Sequence, residues 1–74
     1  MKVEGRNSVY ELISSSKTVD KILVQNGLRD APSRELIAQI KESGIKFTFA
    51  EKSVLDKEST TKKHQGFIAF VTDF

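Results

Sequence analysis

The chain has 74 residues, a net charge of +2 and no cysteine, so it has room for one small domain without disulfide bonds. Hydrophobic residues make up 38% and charged residues 30%, which is typical of a soluble globular protein. The lack of cysteine and the single histidine exclude the usual zinc sites. The first residues contain no apolar stretch of signal-peptide length, and we expect a cytoplasmic protein that does not contact membranes.

The first third of the chain predicts one helix and one strand. A helix over residues 8–15, with Asn7 as its N-cap, is indicated by apolar residues at i, i+3 and i+4: Val9, Leu12 and Ile13. Residues 19–24 end in consecutive aliphatic side chains before an Asn-Gly turn, which is typical of a buried strand.

A second helix and a second strand follow that turn. Asp30 is a candidate N-cap, and a proline follows it early in the helix. The helix is expected to end at Ser43, because Gly44 suits a C-terminal cap. Residues 45–49 alternate apolar and polar side chains, and we expect them to form a strand near the edge of the sheet.

The last third predicts a short helix, a polar loop and a central strand. Ser53 and Asp56 resemble a capping box at the start of a third helix. Residues 57–65 contain no apolar side chain, whereas residues 67–71 form a continuous apolar run that predicts a central strand. We expect most of these phenylalanines to lie in the core: Phe47, Phe49, Phe67 and Phe70. Helices between successive strands predict an α/β fold with a partly parallel sheet and helices on both faces.

Catalytic residues are not expected in this chain. His64 is the only histidine, its lysine neighbours oppose its protonation, and no Gly-x-Ser-x-Gly elbow precedes a helix. The glycines are scattered and form no phosphate-binding fingerprint: Gly5, Gly27, Gly44 and Gly66. The sequence therefore predicts neither a hydrolase nor a nucleotide-cofactor site.

The positive charge is concentrated in one segment, because residues 57–64 carry +2 and the remainder sums to zero. Residues 5–7 and residues 62–66 each combine a glycine with side chains that suit phosphates and unpaired base edges. Each segment also has a structural interpretation, the first as a helix cap with a solvated arginine and the second as a solvated loop. From residue chemistry alone, RNA binding is the minority hypothesis.

Both segments resemble motifs of a known family. Residues 4–12, EGRNSVYEL, resemble the opening motif of the N-terminal substrate-binding domain of SpoU/TrmH-type RNA 2′-O-ribose methyltransferases. Residues 63–69, KHQGFIA, resemble its closing motif, while residues 19–24 and 42–45 match its first strand and the turn into its second. The resemblance covers nearly the whole chain.

The resemblance implies a three-layer α/β/α fold with a small mixed or mostly parallel sheet, similar to ribosomal proteins that bind kinked RNA. It implies that residues 1–74 are a single domain that holds 23S-like ribosomal RNA or transfer RNA for a tethered catalytic domain. In the family that catalytic domain binds S-adenosylmethionine and dimerises. We expect this chain to be an excised or truncated domain, monomeric on its own, without a cofactor or activity.

The resemblance also implies which side chains contact RNA. Arg6 and Asn7 match the polar pair of the opening motif, and Lys63, His64 and Gln65 belong to the closing motif. We expect the lysines before the closing motif to add auxiliary charges for phosphates: Lys57 and Lys62. Tyr10 stands where many relatives have a small aliphatic residue. Its ring either packs in the core, which its apolar neighbours favour, or lies exposed as a stacking platform.

Two other functions are open at this point. The chain could be a stand-alone kinked-RNA-binding protein with no catalytic partner. It could also be a protein-interaction module that docks on a catalytic domain or a ribosomal protein.

Overall fold

The computed structural model describes residues 2–15 and 18–72 as an alternation of strands and helices. The elements within these ranges are β1 (Lys2–Glu4), α1 (Arg6–Ser14), β2 (Val19–Gln25), α2 (Ala31–Ser43), β3 (Phe47–Ala50), α3 (Lys52–Glu58) and β4 (Phe67–Val71). All three predicted helices and all three predicted strands are present, and β1 is an additional strand. The longest of the described helices, α2, has 13 residues, and none is long and apolar enough to cross a bilayer.

The sheet is mixed, with the strand order β1-β4-β2-β3. The central strand β4 runs antiparallel to both of its neighbours, β1 and β2, while β2 and β3 are parallel. The predicted central position of residues 67–71 and the predicted edge position of β3 are therefore confirmed, as is a partly parallel sheet. Periodicity missed β1 because its three residues, Lys-Val-Glu, include a single apolar side chain.

The two faces of the sheet pack against different helices. One core contains the buried residues of α1, α2 and the facing side of the sheet: Val9, Leu12, Leu36, Ile40, Ile22, Val24, Phe67, Ala69 and Val71. Because side chains alternate along a strand, Ile68 points to the opposite face, where it is fully buried, as is Leu55 of α3. This arrangement confirms the expected α/β/α layers.

Of the helix caps predicted from the sequence, only those of α2 are present in the structure. The Asp30 carboxylate accepts a hydrogen bond from the Ser33 amide at 3.1 Å, and Gly44 ends the helix with φ of 76°. The prediction of Asn7 as the cap of α1 is wrong, because the helix begins at Arg6 and its N-cap is Gly5. Asn7 instead lies exposed in the first helical turn.

The predicted capping box of α3 is also wrong. The N-cap of α3 is Glu51, which makes no side-chain capping bond, and Ser53 lies within the helix. Asp56 is bonded to a residue of the loop that precedes β4, as described below.

The phenylalanines lie less deep than expected. Phe67 is fully buried, Phe47 and Phe70 are half-buried, and 47% of Phe49 is exposed. Phe49 belongs to the edge strand β3, which has a neighbouring strand on one side only, so its ring contacts Phe47 and solvent. The core prediction therefore holds for Phe67 and is wrong for Phe49.

We predict that Leu55→Ala lowers the free energy of unfolding by about 2–5 kcal/mol, because Leu55 is the one buried residue of α3 and its removal leaves a cavity under that helix. Urea unfolding would measure the loss. The matched control is Val54→Ala in the next position, where 42% of the side chain is exposed and the expected change is within about 0.5 kcal/mol. Equal losses for the two variants would contradict the placement of α3 on the sheet.

Candidate functional site

The structure brings the two candidate polar segments together, although they are almost a chain length apart. The Gly5 amide donates a hydrogen bond to the Phe67 carbonyl at 3.2 Å, at the point where β4 begins. A Cβ atom on Gly5 would lie 3.6 Å from the Lys63 carbonyl oxygen and 3.7 Å from Gln65 Oε1. These are ordinary contact distances, so the φ of 98° at this position, and not a lack of space, favours glycine there.

The first amide of α1 is capped from the closing motif. Gly5 has no side chain to cap the helix, and the Arg6 amide donates a hydrogen bond to Gln65 Oε1 at 3.0 Å. The first amides of a helix have no partner within it, so Gln65 satisfies a group that local residues leave unpaired. This bond joins residues 59 positions apart and fixes the start of α1 against the loop.

A carboxylate from β1 organises the other end of the same loop. Glu4 Oε1 accepts hydrogen bonds from the hydroxyls of Ser59 and Thr61, and Oε2 accepts one from the Thr60 amide at 3.0 Å. These bonds, the Ser59 bond most of all, lower the pKa of Glu4 below the ordinary range of a glutamate. Sequence reasoning did not assign Glu4 a role, although it stands first in the opening motif.

His64 belongs to the same loop, and its side chain is buried: only 4% of the residue is exposed. Its Nδ1 accepts a hydrogen bond from the Gly66 amide at 2.9 Å, so the proton is on Nε2, which lies 2.7 Å from Asp56 Oδ1 and donates to it. This hydrogen bond lowers the pKa of Asp56, and the charges of nearby lysines act in the same direction. Both ring nitrogens of His64 are engaged within the chain, which leaves neither available as a catalytic base.

The turn between His64 and β4 requires left-handed backbone. The Phe67 amide donates to the His64 carbonyl at 2.9 Å, and the two central residues, Gln65 and Gly66, have φ of 52° and 87°. A Cβ atom on Gly66 would lie 2.8 Å from Leu28 Cδ1 and 3.3 Å from Gln25 Cβ, so an alanine would displace the Leu28 side chain in addition to straining the backbone.

The cationic candidates differ in what they contact. Arg6 Nη1 lies 3.2 Å from Asp30 Oδ2 in an ion pair at the surface. The Lys62 ammonium donates to the Asp56 carbonyl, which holds that side chain along α3. Lys63 is exposed on the loop and Lys57 is exposed in the last turn of α3. The structure therefore places these four cations around the loop, with Lys57 and Lys63 exposed to solvent.

Tyr10 is exposed, so the expectation that it packs in the core is wrong. The exposed fraction is 47%, whereas Val9 beside it is fully buried. Tyr10, Arg6 and Asn7 line one wall of a cleft of about 270 Å³, and α2 forms the other wall. The helical spacing could have revealed this, because residue 10 lies three or four positions from the two polar residues of the opening motif.

Comparisons with known proteins identify relatives of the chain. Residues 2–74 match a family described as RNA 2′-O ribose methyltransferase substrate binding. The chain is 31% identical over 72 residues to a Staphylococcus haemolyticus protein named as a TrmH family tRNA/rRNA methyltransferase, and the match covers 97% of this chain and 28% of that protein. Among solved structures, an archaeal translation termination factor, aRF1, has a TM-score of 0.68 at 20% identity, with 99% of this chain and 20% of that chain covered. The likeness to aRF1 supports the fold.

We predict that Gly66→Ala destabilises the chain by more than Gly27→Ala does. Both glycines have positive φ, of 87° and 83°, so each alanine incurs a backbone strain of about 1 kcal/mol or more. Only Gly66 lies against another residue, Leu28, since nothing approaches the Cβ position of Gly27 within 4 Å. Urea unfolding of both variants would show the difference, and equal losses would contradict close packing at the turn.

We predict that Glu4→Gln destabilises the chain by about 1 kcal/mol at neutral pH, and that the difference from the native chain disappears in acid. Folding lowers the pKa of Glu4, so its stabilising effect is present above the ordinary glutamate pKa and is lost as the pH falls through the folded-state value. Unfolding measured across the acid range would test this. Glu42→Gln, which removes the same charge from the exposed side of α2, serves as the control. A Glu4→Gln effect that persists unchanged in acid would contradict the role of the ionised carboxylate.

Proposed function

The chain belongs to the family of RNA 2′-O ribose methyltransferase substrate-binding domains, and from this premise we propose that it holds ribosomal or transfer RNA for a catalytic domain in a longer protein. The TrmH-family relative, of which the chain spans 28% of the length, supports a methyltransferase as that longer protein. The relative's name includes both tRNA and rRNA, and we favour ribosomal RNA as the substrate.

The observation that carries the proposal is the hydrogen bond from the Arg6 amide to Gln65. It places the two candidate segments on one surface, beside the end of the chain's most cationic stretch. A folded RNA presents phosphates, sugars and unpaired bases at short distances from one another, so a composite surface of this kind suits it better than either segment alone.

The proposed contacts divide by chemistry. Lys57, Lys62 and Lys63 bind phosphates, with Lys62 leaving its helix carbonyl partner for a stronger anionic one. Arg6 and Asn7, with the side-chain amide of Gln65, bind sugar or base edges: the guanidinium donates hydrogen bonds, and the two amides both donate and accept them.

His64 has a different role in this proposal. Because its ring is buried and both nitrogens are bonded, it positions the loop that carries the lysines and does not itself touch RNA. This revises the expectation from the resemblance, which placed His64 among the contacts.

Methyl transfer takes place outside this chain in the proposal. S-adenosylmethionine is the methyl donor that the family implies. The glycines of the described residues lie singly at helix caps and turns and form no cradle for such a cofactor. The contribution of this chain is to raise the local concentration of RNA near the catalytic domain, for which weak binding is sufficient.

We predict that the double variant Lys62→Glu, Lys63→Glu weakens binding to a labelled ribosomal RNA fragment and makes it less sensitive to salt. About three phosphate contacts would give a slope of roughly −2 for log affinity against log salt, and each lost lysine removes about 0.7 from that slope. Fluorescence anisotropy between low and moderate salt would measure both quantities.

The matched control is Lys41→Glu, Lys46→Glu, which changes the net charge equally at a distance from the loop. The Lys46 carbonyl, just before β3, accepts a hydrogen bond from the Ile22 amide in the middle of β2, whereas the Gly66 carbonyl accepts one from the Gln25 amide where β2 ends. Equal weakening by both double variants would indicate a nonspecific charge effect. Unchanged binding in the Lys62, Lys63 variant would instead favour a protein-interaction module.

A further inference from the structure

The cleft between α1 and α2 has a lining unlike the rest of the surface. Its volume is about 270 Å³, and three residues of each helix line it: Arg6, Asn7, Tyr10, Pro32, Glu35 and Leu36. In both helices these residues are spaced by three or four positions, so each helix presents one continuous face to the cleft. Leu36, which is 2% exposed, contributes its apolar floor.

The cleft combines flat apolar surface with polar groups of both kinds. Tyr10 contributes a half-exposed aromatic ring from α1, and Pro32 contributes a second ring from α2. The Asn7 amide both donates and accepts hydrogen bonds, and the Glu35 carboxylate accepts them. This is the combination with which proteins bind unstacked bases, by stacking on the ring and hydrogen bonding to the edge.

The charges of the cleft favour a base over a phosphate. Asp30 already neutralises Arg6 in part through their 3.2 Å ion pair, and Glu35 adds a negative charge. A phosphate would be repelled by Glu35, while an N–H donor on the edge of a base, such as the N3–H of uracil, would donate a hydrogen bond to it. The cleft therefore suits a base, whereas the loop that carries Lys62 and Lys63 suits phosphates.

Arg6 links the cleft to the loop. Its side chain lines the cleft while its amide is bonded to Gln65 of the loop, so the two surfaces meet at one residue. The cleft therefore adjoins the Gln65 end of the loop.

We propose that this cleft binds one unpaired RNA base, stacked on Tyr10 and hydrogen-bonded by Asn7 and Glu35. The inference deepens the proposed function and rests on it. In this arrangement, the loop supplies affinity that depends on phosphates and salt, and the cleft selects RNA in which a base is unpaired.

The test compares a single-stranded uridine octamer with an octamer of abasic ribose phosphates, which carries the same phosphates without bases. Tyr10 is the only tyrosine and the chain has no tryptophan, so intrinsic fluorescence reports this ring alone. We expect the uridine octamer to quench Tyr10 emission and to bind about tenfold more tightly than the abasic octamer. The abasic octamer should leave the emission unchanged.

Variants separate stacking from phosphate binding. Tyr10→Leu, at an exposed helical position, should lose about tenfold in affinity for the uridine octamer and nothing for the abasic one. Tyr10→Phe keeps the ring and should bind like the native chain. Lys63→Glu should weaken the binding of both octamers alike, because it removes a phosphate contact that they share.

The outcomes distinguish the two proposals. Equal affinity of the native chain for both octamers, or an unchanged affinity in Tyr10→Leu, would overturn the base-binding cleft and leave RNA binding by the loop intact. If the folded native chain binds neither octamer at low salt, and does not bind the ribosomal RNA fragment either, the proposed function is overturned and this inference with it.

Discussion

The loop before β4 has no apolar side chain to bury, so its order depends on hydrogen bonds from distant residues. Residues 57–65 are all polar, and the hydrophobic effect that holds the rest of the fold contributes little there. Glu4 binds one end of the loop, the Arg6 amide binds Gln65 at the other, and the ring of His64, next to Gln65, holds that end to α3. Each such bond is worth about 0.5–1.5 kcal/mol net, so the loop relies on their sum. The start of α1 and the candidate RNA-binding surface share this dependence.

The same hydrogen bonds sort the charges around the loop. Glu4 and Asp56 accept their bonds as carboxylates, and their pKa values are lowered because the folded chain stabilises the ionised forms. Lys57 and Lys63 remain exposed. Glu4 and Asp56 are thus engaged within the chain, while these ammonium groups are exposed to solvent. The two carboxylates accept these bonds in their ionised form. They therefore hold the loop, and the cationic surface that it carries, at pH values above the lowered pKa values of Glu4 and Asp56.

Elements that depend on local pattern were predictable from the sequence, and contacts between distant residues were not. Periodicity located α2 with both of its caps, because Asp30 and Gly44 act on their own helix. It did not locate the cap of α1, because the first amide of that helix is capped by Gln65 from the far end of the chain. It also assigned Asp56 to a local capping box, whereas that carboxylate bonds to His64. For the site, the family motifs identified the segments that meet, but nothing in their spacing indicates which side chains are buried.

The two motifs therefore consist of residues with different physical roles. Gly5, Gly66 and His64 shape the turns and hold the contact between the segments, and substituting them would change the surface without removing one of the proposed RNA contacts. Lys63 and Tyr10 are exposed and leave the fold largely unchanged when substituted, so their effects on binding report contacts directly. A motif shared within a family does not reveal this division, since selection on either role retains the residue. Burial and hydrogen-bond partners do reveal it. The residues with a structural role are those whose polar atoms are already bonded within the chain.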